Sequence, residues 1–241
     1  MLVWVASYPR SGNALTVLTL EDVFGEWRIG TVTASDLRLG RMRHPLVPGG
    51  APWQPPPELR ALRGSELLDA IRTRPEPFFV KTHRLAEAPD PAPALYIVRD
   101  GRDAVVSQAH FVAERGVAAY RGLSFERRLA RLTGAGMRPC GHWSGNVRRW
   151  TDRRAPVAIL RFEDLLRDPA AVVAGACAEL EVPLGEPDGE VPSFDYLHKR
   201  VPILFRRGVV GAWRDEMPAH LEERFWQIHG TQMEALGYRR G

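Results

Sequence analysis

Three short polar clusters carry most of the chemistry this chain can offer. Lys81-Thr82-His83 sets a cation and a titratable imidazole two residues apart, on one face of an extended segment. An imidazole is suited to act as a general base near neutral pH, although a lone histidine is equally at home in a structural role. Arg10-Ser11-Gly12 combines a fork of N–H donors, a hydroxyl and a residue that lets backbone approach an anion closely. Arg99 and Ser107 lie eight residues apart, so that a helix folding back over Arg99 would let both hold one phosphate. Farther on, Arg206-Arg207-Gly208 offers two guanidinium groups before a glycine, either an anion contact or a solvated basic loop.

Positioning these groups requires strands that end where they begin. Residues 2–6 form an apolar, β-rich run that stops at Tyr8-Pro9. The apolar positions from Ala14 to Leu20 then continue as a helix. Strand, tight loop and helix is the arrangement in which N–H groups at a helix start face an anion, though it also describes an ordinary turn. The loop is not a Walker A loop, lacking its first glycine and its Gly-Lys-Ser/Thr ending. Further strands are predicted at 77–81, 94–99 and 156–160. Helices are predicted at 65–74, from Asp100 to Glu114, over 142–153, from an Asp168-Pro169 start to Glu181, and from Pro218 to Leu236. This alternation implies an α/β fold: a single domain over 1–241 with a mainly parallel sheet covered by helices on both faces. Ligands of such sheets sit beyond the carboxyl ends of the strands, which is where Arg10, Lys81-His83 and Arg99 fall.

Two stretches read as loops and candidate substrate lids. Residues 40–57 are rich in proline and glycine, and the candidate lid at 112–142 is rich in glycine and arginine over 116–142. His44, Trp53, Phe111, His142 and Trp143 are the aromatic candidates to meet a substrate there.

Composition narrows the class. The chain has 241 residues, a net charge of +4 and two cysteines without metal spacing, so a reduced, cytoplasmic setting is expected. No run reaches the ~20 apolar residues of a membrane span. The positive charge is scattered, which argues against a nucleic-acid surface. Of 33 cationic side chains only Lys81 and Lys199 are lysines. Such a bias points to a GC-rich genome and makes Lys81 the more noteworthy.

Taken in order, the motifs resemble those of the soluble sulfotransferases that use 3′-phosphoadenosine 5′-phosphosulfate (PAPS), especially compact bacterial members. Residues 7–13 (SYPRSGN) resemble the 5′-phosphosulfate loop, commonly TYPKSGTTW, and 80–83 (VKTH) the segment of the catalytic histidine. Residues 99–107 have the family's Arg and Ser spacing for the 3′-phosphate. Residues 161–165 (RFEDL) resemble the YEDL segment, and 206–213 (RRGVVGAW) the RKGxxGDW loop.

The resemblance implies a P-loop-like sulfotransferase fold, with PAPS as cofactor, PAP as product and no metal. His83 is then the base, assisted by Lys81 and Arg10. Arg10, Ser11, Gly12, Asn13, Ala14, Leu15, Arg99, Ser107, Phe162, Phe194, Arg206, Arg207 and Gly208 form the cofactor set. The acceptor is a small molecule bearing a hydroxyl (an amine is the second choice), such as a natural product. The departures are Arg10 for Lys, Ala14 and Leu15 for Thr and Trp, Phe162 for Tyr and Ala212 for Asp. They bear on cofactor affinity more than on the base. The family's dimerisation signature KxxxTVxxxE is not recognisable after Trp213, so a homodimer stays an open question. A P-loop small-molecule kinase, or a non-catalytic PAP- or nucleic-acid-binding module, are the alternatives.

Overall fold

A computed structural model of the chain describes residues 1–25, 32–33, 56–59, 61–62, 64–87 and 90–241. Most of the 40–57 stretch, with His44 and Trp53, lies outside the described residues. Five parallel strands form one sheet: β1 (Leu2–Ser7), β2 (Val32–Thr33), β3 (Phe78–Thr82), β4 (Ala94–Val98) and β5 (Val157–Arg161), in the order β2-β3-β1-β4-β5. β1 therefore lies between β3 and β4, where the strand order reverses and where open parallel sheets bind ligands.

β1 and β4 are buried along their whole length, as a parallel sheet covered on both faces requires. Alternate residues serve opposite cores. Leu2, Trp4 and Ala6 pack against one helical layer, while Val3 and Val5 pack against the other. The second layer is α1 (Asn13–Asp22) with a later helix, Pro169–Glu179, through Val17, Leu20, Val173 and Cys177. The first layer holds α2 (Gly64–Arg72), α3 (Gly101–Glu114), α4 (Phe125–Gly134), α5 (Trp143–Thr151) and the C-terminal helix Ala219–Ala235. In chain order the short helix Phe162–Leu165 is α6 and Pro169–Glu179 is α7. Phe194–Arg200 is α8, Trp213–Glu216 is α9 and Ala219–Ala235 is α10. No helix among the described residues is long and apolar enough to cross a membrane.

Helix starts follow local chemistry. The Asp100 carboxylate accepts the Arg102 N–H at 2.9 Å, and Asp168 accepts the Ala171 N–H at 3.0 Å with Pro169 in the first turn. Part of the stretch 112–142 corrects the loop expectation. Residues 125–134 form α4, capped by the Ser124 hydroxyl at 3.3 Å, with Leu129 and Leu132 turned inward and Arg127 and Arg131 outward. The arginine content that reads as loop is the solvent face of an amphipathic helix. Helix α8 was not predicted, nor was the two-residue strand β2.

Candidate active site

The ends of β1, β3 and β4 open into one cavity of about 570 Å³. Its lining includes Lys81 and His83 from the end of β3, and Arg10, Gly12, Asn13, Ala14 and Leu15 from the loop after β1. Arg99 and Ser107 contribute from the other side, with Phe162, Phe194, Arg206, Arg207 and Gly208. Every sequence-derived site residue except Ser11 thus reaches the same space. Ser11 is buried beneath it, its hydroxyl without a partner.

Sheet register fixes the histidine. Ala6 stands opposite Thr82, so His83 follows beside Ser7. Its Nδ1 lies 3.0 Å from the Ser7 carbonyl oxygen and 3.1 Å from the Ser7 hydroxyl, which makes Nδ1 the protonated nitrogen and leaves Nε2 as the basic one. Asn146 holds the backbone: its Nδ2 donates to the His83 carbonyl at 3.3 Å and to the Cys140 carbonyl at 2.9 Å, while Tyr96 donates to its Oδ1 at 3.0 Å. Burial first, then the charge of Lys81, pushes the His83 pKa down to about 3. The Ser7 carbonyl works in the opposite sense, and Arg10 adds to the lowering. The imidazole is therefore neutral at physiological pH.

The same cavity holds a cluster of arginines. Arg10 takes a left-handed backbone (φ 68°), its Nε donating to Ser107 Oγ at 3.1 Å and its Nη2 to the Leu204 carbonyl at 2.8 Å. Arg99 donates to the Arg10 carbonyl at 3.2 Å and the Val209 carbonyl at 2.8 Å, and lies 4.3 Å from the Phe162 ring centre. Phe162 therefore takes a packing role under the guanidinium. Burial, with the neighbouring charges of Arg99 and Arg206, lowers the Arg10 pKa to about 10, still cationic at neutral pH. Arg99 Nε and Arg206 Nε are buried without a hydrogen-bond partner, as is Ser11 Oγ. Three buried donors without acceptors, beside mutually repelling cations, are an arrangement that an anion would stabilise.

The loop 206–213 is held against α3 by an acid in that helix's first turn. Asp103 accepts the Gly211 N–H at 2.8 Å and the Trp213 N–H at 2.9 Å, and sits 3.5 Å from Arg99. This carboxylate holds the backbone on both sides of Ala212, which has no acid of its own. Its spacing from Arg99, one helical turn, was the available signal. Glu216 meanwhile accepts from Arg206 at 2.8 Å and Arg207 at 3.2 Å, so both arginines rest on a carboxylate. Asn13 departs from its expected role. Its side-chain amide turns back to the Val5 carbonyl at 2.9 Å and Ser7 Oγ at 3.2 Å, bracing the loop on β1 and leaving a ligand only its backbone. Gly12 (φ 108°) is a required glycine, because a Cβ there would lie 2.6 Å from the Phe162 ring.

The fold and this site define an α/β protein in which the arginine- and glycine-bearing loop before α1 and a neutral histidine line one cavity. Residues 2–237 match the sulfotransferase domain family, and the chain belongs to that family. Mouse sulfotransferase 1B1 is 24% identical over 69% of this chain, and the chain spans 64% of that relative. Human sulfotransferase 1C2 is 22% identical over 95% of this chain and 82% of its own. Among solved structures, mouse sulfotransferase SULT7A1 complexed with PAP superposes with a TM-score of 0.61 at 17% identity, over 97% of this chain and 84% of that one. Retinol dehydratase with retinol and PAP gives 0.62 at 20%, over 100% and 83%. The fold is the sulfotransferase fold.

Proposed function

We propose that this protein transfers the sulfuryl group of PAPS to a hydroxyl of a small acceptor, with His83 as general base. The observation that carries the reading is the pairing, in one cavity, of a basic His83 Nε2 with the arginine cluster, whose Arg99 Nε and Arg206 Nε are buried without partners. PAPS supplies an activated sulfuryl group on a phosphate leaving group, and the solved relatives named with PAP support that choice of nucleotide. The donors present fit such a ligand. Ser11, Gly12 and the backbone from Asn13 to Leu15 cradle the 5′ end, and Arg99, Ser107 and Arg206 to Gly208 hold the 3′-phosphate. Phe162 and Phe194 flank the remainder.

In the reaction His83 Nε2 accepts the acceptor's proton while Nδ1–H stays on the Ser7 carbonyl, so the ring keeps its orientation as it becomes charged. Lys81 and Arg10 stabilise charge developing on the transferred group and the bridging oxygen. Arg10 does so as a fixed cation and donates no proton. Anionic donor charge offsets the two cations that hold the His83 pKa down, so the imidazole gains basicity when the donor site is filled. No step calls for a metal.

The domain boundaries 1–241, the lid role of 40–57 and 112–142, a cytoplasmic setting and a bacterial natural-product acceptor form part of the same proposal. The arginine bias supports the bacterial setting and the apolar cavity wall supports a small organic acceptor. Calorimetry tests the reading. PAP binds, and ADP, which lacks the 3′-phosphate, binds at least about tenfold more weakly. Preference for ATP with Mg²⁺ and ATP turnover decides for a kinase. RNA binding with steep salt dependence and no sulfate transfer decides for a binding module.

A further inference from the structure

Beyond His83, the cavity has a second polar feature that the donor site does not use. Gln108, on α3, lines the cavity at 1% exposure. Its Nε2 donates only to the Met137 sulfur at 3.6 Å, a weak acceptor, and its Oε1 is buried with no partner. Met137 connects it to the base. The Met137 carbonyl accepts the Cys140 N–H at 2.9 Å, and Asn146 bonds both the Cys140 and His83 carbonyls. Gln108 and His83 thus stand on one continuous wall, whose intervening members Met137 and Cys140 are apolar. Burial raises the Cys140 thiol to about 12, so it is inert there. Asp103 is the one carboxylate of the cavity lining among the described residues, and it is committed to the backbone of 211–213 and to Arg99. An ammonium acceptor would meet Lys81 and Arg84 in that lining, and among the described lining residues its only carboxylate would be the already committed Asp103.

We propose that Gln108 is the acceptor-reading residue, and that the acceptor is an uncharged hydroxyl compound carrying a second hydrogen-bond donor, which binds Gln108 Oε1. This rests on the sulfotransferase reading and narrows its acceptor. A buried carbonyl oxygen left unpaired discriminates strongly against a ligand that lacks the matching donor.

The test uses matched phenols that differ in one substituent: resorcinol, 3-methoxyphenol and phenol, with hydroquinone, 4-methoxyphenol and phenol. PAP release from PAPS gives kcat/KM for each. In the wild type the better diol exceeds its methoxy and unsubstituted partners by about tenfold or more, well beyond the twofold statistical gain of two equivalent hydroxyls. In Gln108→Met and Gln108→Leu that ratio collapses to about the statistical twofold. Methoxyphenols as good as diols, or a ratio that survives in both variants, overturn the proposal. So does a fall in the thermal midpoint of cofactor-free Gln108→Met, which would make the amide a structural group. Absence of turnover with every phenol, while PAP binds by calorimetry, overturns the acceptor class and leaves the donor site standing. Absence of PAP binding instead overturns the donor-site reading.

Discussion

Replacing Asp103 by alanine releases the 206–213 loop from α3. The side chain is fully buried and accepts two backbone N–H groups, of Gly211 at 2.8 Å and Trp213 at 2.9 Å. Each N–H left unpaired costs about 1–3 kcal/mol, and Arg99 loses its partner at 3.5 Å. Burial raises the Asp103 pKa, so removing the carboxylate returns part of that loss. The net expectation is a destabilisation of about 3 kcal/mol. If binding must re-form the loop at that cost, PAP affinity falls about 100-fold. Urea denaturation reads the first quantity and calorimetry with PAP the second. Asp103→Asn keeps one acceptor oxygen and falls between alanine and wild type in both. PAP affinity within about twofold of wild type in Asp103→Ala would refute the claim that this carboxylate positions the 206–213 loop.

Other outcomes follow from the same geometry. Gly12→Ala combines a Cβ 2.6 Å from Phe162 with a left-handed backbone. It should lose about 1–3 kcal/mol of stability and weaken PAP binding, which denaturation and calorimetry read together. Buried His229 is held neutral, its Nδ1 accepting from Ser144 at 2.8 Å and its Nε2 donating to the Thr133 carbonyl at 3.0 Å. Burial lowers its pKa from 6.5 to about 4. The unfolded chain binds a proton first as pH falls, so stability declines from about pH 6.5 to about pH 4 by up to roughly 1.4 kcal/mol per pH unit. His229→Gln removes this contribution and lessens the slope, leaving the share from His83, whose pKa burial also lowers; an unchanged slope counts against the assignment. Arg99→Ala should weaken PAP far more than ADP if, as proposed, Arg99 holds the 3′-phosphate, and calorimetry with the two nucleotides checks it.

Much of this site is legible in the sequence because strand ends are. The apolar runs of β1, β3 and β4 end abruptly at polar residues, and parallel pairing then brings Arg10, His83 and Arg99 together. The caps at Asp100 and Asp168 are equally readable, since short acids bond the N–H groups two or three residues on. The role of Asp103 is hidden because its backbone partners lie at 211 and 213: its one-turn spacing from Arg99 is legible, but nothing local signals a bond across that separation. The turn of Asn13 back to β1 likewise depends on the strand beneath it. Helix α4 was masked by its arginines, and α8 by a short, largely exposed sequence whose Leu197 alone is buried.

The central claim is that His83 takes the proton from the acceptor in sulfuryl transfer from PAPS. The most direct measurement is the rate of radiolabelled sulfate transfer from PAPS by wild-type protein and His83→Ala, with PAP affinity measured on both. The account predicts a wild type that transfers and a variant slower by about 10²–10⁴-fold with PAP affinity nearly intact. Transfer at the wild-type rate in the variant would contradict it.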